Sequence, residues 1–482
     1  MKKIVFINPP LSTKDRYGVK SQSGGQTPPL GLANLAAMTR KHGFETAIID
    51  ASALKLGYAE IVKTVVDNEF KYVGITAVTI TIERAAYLAG LLKKSDKEIV
   101  TIIGGPHLTS VPTETMSRYP QFDIGVIGEA DYTIIDLLRG LEERKDLTRV
   151  SGLIIRKNGL LFTTSPPKRI DNMDDLPKPA WDLLPNLATY YCPPVHTLKR
   201  VPGALLICSR GCPGKCIFCD RSVFGNILRA YSAGYTFELI KDLYYNYGIR
   251  EIQIRDDNFT AYRKRMMELC EILKREKLDL VWTCAGRVDM VNPSILKIMK
   301  EAGCWQIWYG IESGSQSVLN ALKKHTTIEQ IRKAVQITID AGISPCGFFM
   351  IGNPTETKED LEATINLALE LPLDEAHFTF MTPFPGSEIY ARATEFGLFD
   401  NDWNKLSCWL PVFVPYGLTL RDLELYSKKA FRRFYFRPRI MLSYINKIRS
   451  WQHLKIYFDG FIALLEWLIL RKADKVRLDK ES

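Results

Sequence analysis

Two rounds of strand–helix alternation govern what this chain can fold into. Before residue 140, five short apolar runs at 3–8, 45–50, 72–77, 98–103 and 123–127 alternate with segments of helical period that include 58–69 and 82–94. Strands separated by helices pair in parallel and are covered on both faces, so this part reads as a doubly wound α/β sheet. The alternation restarts at 203 with strands at 203–208, 250–255, 280–285, 305–311, 344–351 and 375–381. Helices at 235–246, 263–276, 293–301, 315–341 and 358–370 lie between them, which predicts a partial (β/α)6 barrel. A hairpin at 151–163, turning at Asn158-Gly159, precedes a stretch punctuated by Pro166, Pro167, Pro177, Pro179 and Pro185. The expected organisation is therefore an α/β domain at 1–140, a connector at 141–195, the barrel at 196–400 and a helical region at 401–482.

Both architectures bind ligands at the carboxyl ends of their strands. In the first sheet those ends carry Asn8, Thr76, Gly104, Gly105, Gly128 and Glu129. In the barrel they carry Asp256, Asp257 and Asn258, then Cys284 and Arg287, Glu312, Gly352, and Thr382. Polar and Gly-rich residues recur at the same end of strand after strand.

The first barrel strand runs into Cys208-Ser-Arg-Gly-Cys212-Pro-Gly-Lys-Cys216-Ile-Phe-Cys219. Three thiolates spaced C-x3-C-x2-C on one loop can wrap a single metal centre. A four-iron cluster normally takes four Cys, so three ligands leave one iron open to a substrate or cofactor. Structural zinc is the competing reading, but zinc sites usually draw their second ligand pair from further along the chain. Cys208 reads as a small buried residue at a strand end rather than as a fourth ligand.

Cys212, Cys216 and Cys219, with Phe218 before the last, resemble the signature of the radical S-adenosylmethionine enzymes. Pro-Pro-Leu-Gly-Leu-Ala at 28–33, the Asp50-Ala51 strand end, Gly104-Gly105-Pro106-His107 and Gly128-Glu129-Ala130 resemble the cobalamin-binding subgroup of that family. The resemblance implies a 4Fe-4S cluster on the three cysteines, with S-adenosylmethionine at the open iron. It places the cofactor's amino group near Asp256, Asp257 and Asn258, its ribose or methionyl part near Glu312, and its adenine near Gly347 and Gly352. It implies cobalamin at Asn8, Thr76, Gly104, Gly105, Gly128 and Glu129. Many such domains carry D-x-H-x-x-G, whose His becomes the lower cobalt ligand. Here Asp50 is followed by Ala51-Ser52-Ala53, so no His ligand is expected from that motif. His107 reads as a solvated or turn-capping residue. A methylthiotransferase-type first domain would need three early cysteines, and the first Cys is Cys192. The implied activity is reductive cleavage of S-adenosylmethionine to a 5′-deoxyadenosyl radical, with methyl transfer to an unactivated carbon. The alternatives are non-methylating radical chemistry on the same cofactors and a non-catalytic cobalamin or iron–sulfur sensor.

The net charge of +10 is local: residues 421–482 hold fifteen Lys or Arg against seven Asp or Glu. Six of these basic residues fall within 428–439 among Phe431, Phe434, Tyr435 and Phe436, and a second helix is expected at 452–472. A basic aromatic helix can lie on an anionic membrane surface or cap the barrel with a solvated face. No recognisable reading module accompanies the charge, so nucleic acid is not an expected partner. The expected partners are a small-molecule or lipid substrate and an electron donor such as flavodoxin or ferredoxin. Ten cysteines and an N-terminal apolar run too short for a signal peptide point to a reducing, cytoplasmic setting, peripheral to the inner membrane face if the tail binds lipid. No apolar stretch approaches the ~20 residues that span a bilayer.

Overall fold

The computed structural model describes residues 2–17, 25–191, 193 and 197–446. The chain divides into two compact units. The first comprises Met1–Ser12, Gln26–Tyr191 and Asp220–Tyr231, and the second comprises the rest.

The first unit is built on a seven-stranded sheet. Its strands are β1 (Lys3–Asn8), β2 (Glu45–Asp50), β3 (Tyr72–Thr76), β4 (Val100–Gly104), β5 (Ile124–Val126), β6 (Leu153–Lys157) and β7 (Leu160–Thr163), in the order β2-β1-β3-β4-β5-β6-β7. The first five strands are parallel. The order 2-1-3-4-5 reverses direction between β1 and β3, which makes their carboxyl ends, Asn8 and Thr76, the topological switch point. The expected connector does more than link. Its hairpin pairs antiparallel with β5 and extends the sheet. Leu153, Ile154 and Ile155 are all buried there, covering an edge that would otherwise be open. The Pro-rich stretch is packed too, since Trp181 is buried and the Ala180 N–H donates to the Ala33 carbonyl at 3.0 Å.

The second unit holds a six-stranded sheet of β8 (Gly203–Leu206), β9 (Glu251–Ile254), β10 (Val281–Gly286), β11 (Cys304–Glu312), β12 (Ser344–Ile351) and β13 (Glu375–Phe380). Neighbours are parallel and follow chain order, the arrangement of a half-barrel. One face packs on helices, as when the Tyr309 hydroxyl meets Thr338 Oγ1 at 2.8 Å. The helix expected at 315–341 is broken into Gln316–Ala321 and Ile328–Asp340. Lys323 and His325 have φ of +51° and +54°, and Thr327 restarts the helix with a capping box to Gln330.

The basic helix Leu420–Tyr435 packs on this unit. Phe431 and Phe434 meet the Phe378 ring at 5.4 and 6.3 Å. Lys429 and Arg433 reach Glu362, and Arg439 lies 3.5 Å from Asp374. The aromatic face is thus core, and much of the local charge has protein partners. The second tail helix, expected at 452–472, lies outside the described residues. No helix among the described residues is long and apolar enough to cross a membrane.

Candidate active site

At the carboxyl edge of the first sheet, the predicted residues are tied to one another and to their surroundings. Asn8 donates to Asp50 Oδ1 at 2.8 Å, and Tyr191 donates to Asp50 Oδ2 at 2.8 Å. Burial raises the Asp50 carboxyl above its ordinary range, against the pull of these hydrogen bonds. Gly105 has φ +101°, and a Cβ there would lie 2.8 Å from the Ala77 carbonyl and 2.9 Å from Thr76 Oγ1. Glycine therefore lets the backbone after Gly104 close over the Thr76 strand end. Gly128 turns at φ +72° and donates its N–H to Thr109 Oγ1 at 3.0 Å. Glu129 is 7% exposed and its carboxylate is engaged by Arg229, which also donates to the Ile170 and Phe224 carbonyls. That carboxylate is held by a buried guanidinium. His107 departs from expectation: it is 1% exposed, with Nδ1 3.3 Å from Thr79 Oγ1. Burial first, then the Arg118 charge, hold its imidazole down to about 4, so it is neutral at neutral pH.

In the second unit the cysteine loop leaves β8 and is clamped from the end of β9. Asp256, fully buried, accepts the N–H groups of Cys208 and Ser209 at 2.7 and 3.1 Å and the Ser209 hydroxyl at 2.6 Å. Arg265 stands 3.7 Å away. Asp257 accepts the Gly211 N–H at 3.0 Å, where the backbone turns at φ +88°. Asn258 Oδ1 accepts from Thr260, and its Nδ2 lies 3.3 Å from Met290 Sδ. The acidic run expected to hold an ammonium is thus committed to the shape of the cysteine loop. Cys208 is buried, its Sγ is 3.4 Å from Asp256, and burial raises its thiol far above the ordinary value, all of which fits a scaffold role.

The loop's other end is pinned by the Ile217 N–H donating to the Leu322 carbonyl at 3.1 Å, while Ile217 and Phe218 pack into an apolar cluster with Val318, Met381 and Phe413. Cys216 is buried and Cys219 exposed. A hydrogen bond from Cys219, with the Lys324 and Arg287 cations, pulls the Cys216 thiol below its ordinary value. Thiolates are the metal-binding form, so a donor set with two compensating cations fits an anionic iron–sulfur cluster.

Of those cations, Arg287 reads as a strand-end residue and Lys324 does not. The β-bulge between Gly310 and Glu312, with Glu312 at φ +68°, re-aims the Glu312 carboxylate onto Lys324 Nζ at 2.8 Å. Both side chains are buried. A Cβ on Gly310 would collide with the Glu312 carboxylate and stand 2.9 Å from Lys324 Nζ, so a larger residue there would displace the pair. Arg287 chelates Asp289 at 2.9 Å through two nitrogens and donates to the Lys324 carbonyl at 3.0 Å. The sequence signal for Lys324 was the Lys-Lys-His run, which breaks the helix and leaves a lysine at a turn.

Gly347 lies inside β12. A Cβ there would meet the side chains of Leu373, Phe349 and Ile311 within 3.0 Å, so the strand is closely packed at the position expected near the adenine. Gly352 turns at φ +83° and donates its N–H to Glu356 at 2.6 Å. Glu356 also accepts from the Asn353 N–H and side chain, and burial pushes its carboxyl up to about 7.

Residues 206–368 match the radical SAM superfamily, and residues 18–138 match the B12 binding domain. The chain is 35% identical over 443 residues to "Uncharacterized methyltransferase PH0819" of Pyrococcus horikoshii, covering 91% of this chain and 94% of that one. It is 26% identical over 441 residues to the anaerobic magnesium-protoporphyrin IX monomethyl ester cyclase of Rubrivivax gelatinosus, covering 90% and 77%. The fold matches the cobalamin-dependent S-adenosylmethionine radical enzyme OxsB, at 17% identity, with a TM-score of 0.74 over 96% of this chain and 72% of that one. The clamped three-cysteine loop, the parallel sheet with its 2-1-3-4-5 order, and these matches together make this chain a member of the cobalamin-binding radical SAM family.

Proposed function

We propose that this chain reductively cleaves S-adenosylmethionine and transfers a methyl group to an unactivated carbon of a small-molecule substrate. The observation that carries this reading is a loop of three cysteines, held at both ends and flanked by two buried or half-buried cations. When bound, the cluster supplies an electron to S-adenosylmethionine and cobalamin carries the methyl group. Cys212, Cys216 and Cys219 would hold the cluster. Asp256 and Asp257 fix the entry to the loop through the N–H groups of Cys208, Ser209 and Gly211. Lys324 and Arg287 offset the negative charge of a thiolate-ligated cluster. Glu312, held by Lys324, offers its second carboxylate oxygen to hydroxyl donors of the nucleoside. The strand ends at Asn8, Thr76 and Gly104-Gly105 would accept cobalamin, with no histidine from the Asp50 turn as a cobalt ligand.

A small redox protein of the flavodoxin or ferredoxin kind is the electron donor in this reading, and the setting is cytoplasmic. Membrane contact in this reading rests on the tail from 447 onward, because the aromatic face of the preceding basic helix packs on Phe378 and two of its cations pair with Glu362. Flotation with anionic liposomes tests it, and equal failure to float with and without residues 447–482 would remove it. Non-methylating ring formation is the second reading, favoured by the 26% identity to a cyclase.

The test is anaerobic incubation with S-adenosylmethionine, cobalamin and reductant, with nucleosides quantified by mass spectrometry. Both 5′-deoxyadenosine and S-adenosylhomocysteine are expected, lost together in Cys212→Ala. 5′-Deoxyadenosine alone would favour the non-methylating reading, and neither product would contradict both.

A further inference from the structure

We propose that Cys346, Glu375 and His377 form a site for a zinc-type divalent cation on the face of the second sheet turned away from its helices. Side chains along a strand alternate between faces. Tyr309 on β11 points to the helix Ile328–Asp340, so its neighbour Trp308 points the other way. Trp308 pairs with Cys346, and Cys346 with Glu375, in the strand register, while His377 follows Glu375 by two. All three donors therefore share that face.

The thiol sulfur, a carboxylate oxygen and an imidazole nitrogen lie within 4.8 Å of one another. His377 Nε2 is 3.1 Å from Glu375 Oε1, close to the ~3.3 Å edge of a tetrahedral ion with bonds of about 2 Å. The Cys346 sulfur would bind at the longer ~2.3 Å of a zinc–thiolate bond. Cys346 and Glu375 are 0% and 1% exposed, while the His377 side chain keeps 22%, which opens a route for the ion. The His377 ring is fixed by stacking on Phe348, with centroids 4.8 Å apart and 14° between planes.

The donor chemistry selects the ion. Magnesium and calcium prefer oxygen ligands, whereas a mixed sulfur, nitrogen and oxygen set suits zinc. Two anionic donors balance a divalent charge. Arg255, with its guanidinium 3.6 Å over the Trp308 ring and Nη2 donating to Gln253 at 2.9 Å, acts electrostatically on Cys346 and Glu375, and its charge favours their anionic forms. Three protein ligands leave a fourth position for water or a heteroatom of a bound molecule. None of the three belongs to the cysteine loop, so the proposal stands apart from the radical chemistry.

The test is zinc K-edge absorption and metal analysis on the anaerobically reconstituted, iron-loaded protein after equilibration with zinc and desalting. The expected result is one zinc per chain with one sulfur at ~2.3 Å and three nitrogen or oxygen neighbours at ~2.0–2.2 Å. Cys346→Ser should remove the sulfur shell, and His377→Ala should lower retained zinc by roughly tenfold or more, with iron content unchanged. Cys346→Ser changes one atom, so it reports even if His377→Ala fails to fold. No retained zinc, or a sulfur-rich shell that disappears in Cys212→Ala, would overturn the proposal.

Discussion

The two sheets treat charge at their strand ends differently. In the first unit the acidic groups are closed off: Asp50 is capped by Asn8 and Tyr191, and Glu129 by Arg229. What remains at that edge is glycine, hydroxyl and backbone. In the second unit Asp256 and Asp257 are closed off in the same way, onto the cysteine loop, but a Glu312–Lys324 pair and Arg287 stay beside the thiols. The contrast follows from what each edge must hold. A large neutral-to-polar ligand needs close backbone approach, whereas an anionic cluster needs cations.

The largest test of that contrast is Glu129→Ala, which strands the Arg229 guanidinium at a site where both side chains are only 6% exposed. Unfolding in urea should show a loss of about 3–5 kcal/mol. A loss below 1 kcal/mol would mean the pair is no anchor. The units should next respond to pH in opposite directions. His107 titrates near 4 folded and 6.5 unfolded, so its contribution is complete above pH 6.5 and lost as pH falls toward 4. Glu356 titrates near 7 folded and 4.5 unfolded, so its contribution is complete below pH 4.5 and lost as pH rises through 7. Each swing is about 3 kcal/mol. Hydrogen exchange on peptides from each unit at pH 5.5 and 8, corrected for intrinsic rates, should show the first unit weaker in acid and the second weaker in base. His107→Gln and Glu356→Gln should each flatten one slope.

Lys324→Met sharpens the comparison at the site itself. It should lower 5′-deoxyadenosine formation roughly 10–100-fold while iron content is largely retained. Unchanged turnover would deny Lys324 a part in the site. The smallest effect belongs to the surface: Lys429→Ala, at a one-third exposed pair with Glu362, should change stability by about 0.2–1 kcal/mol in urea melts.

Hydrophobic period and turn chemistry made all eleven predicted parallel strands legible, because a buried parallel strand is a short apolar run with helices on either side. The cysteine loop was legible from spacing alone. The hairpin's place in the sheet was not, since a neighbouring Pro-rich stretch looks like a linker until Leu153–Ile155 are seen to cover β5. Nor were the Arg229 partner of Glu129, the hold of Asp256 on the cysteine loop and the packing around Gly347, because composition along a strand does not reveal which neighbours the fold brings to a side chain. Lys324 was hidden for a related reason: it reaches Glu312 only because two residues flanking it take left-handed backbone.

The central claim is that three cysteines, and not four, hold a cluster with one iron open to S-adenosylmethionine. Electron paramagnetic resonance of the reduced, reconstituted protein tests it most directly. The account predicts a 4Fe-4S signal that changes when S-adenosylmethionine is added, is lost in Cys212→Ala, Cys216→Ala and Cys219→Ala, and survives in Cys208→Ala. A signal that needs Cys208, or one indifferent to S-adenosylmethionine, would contradict it.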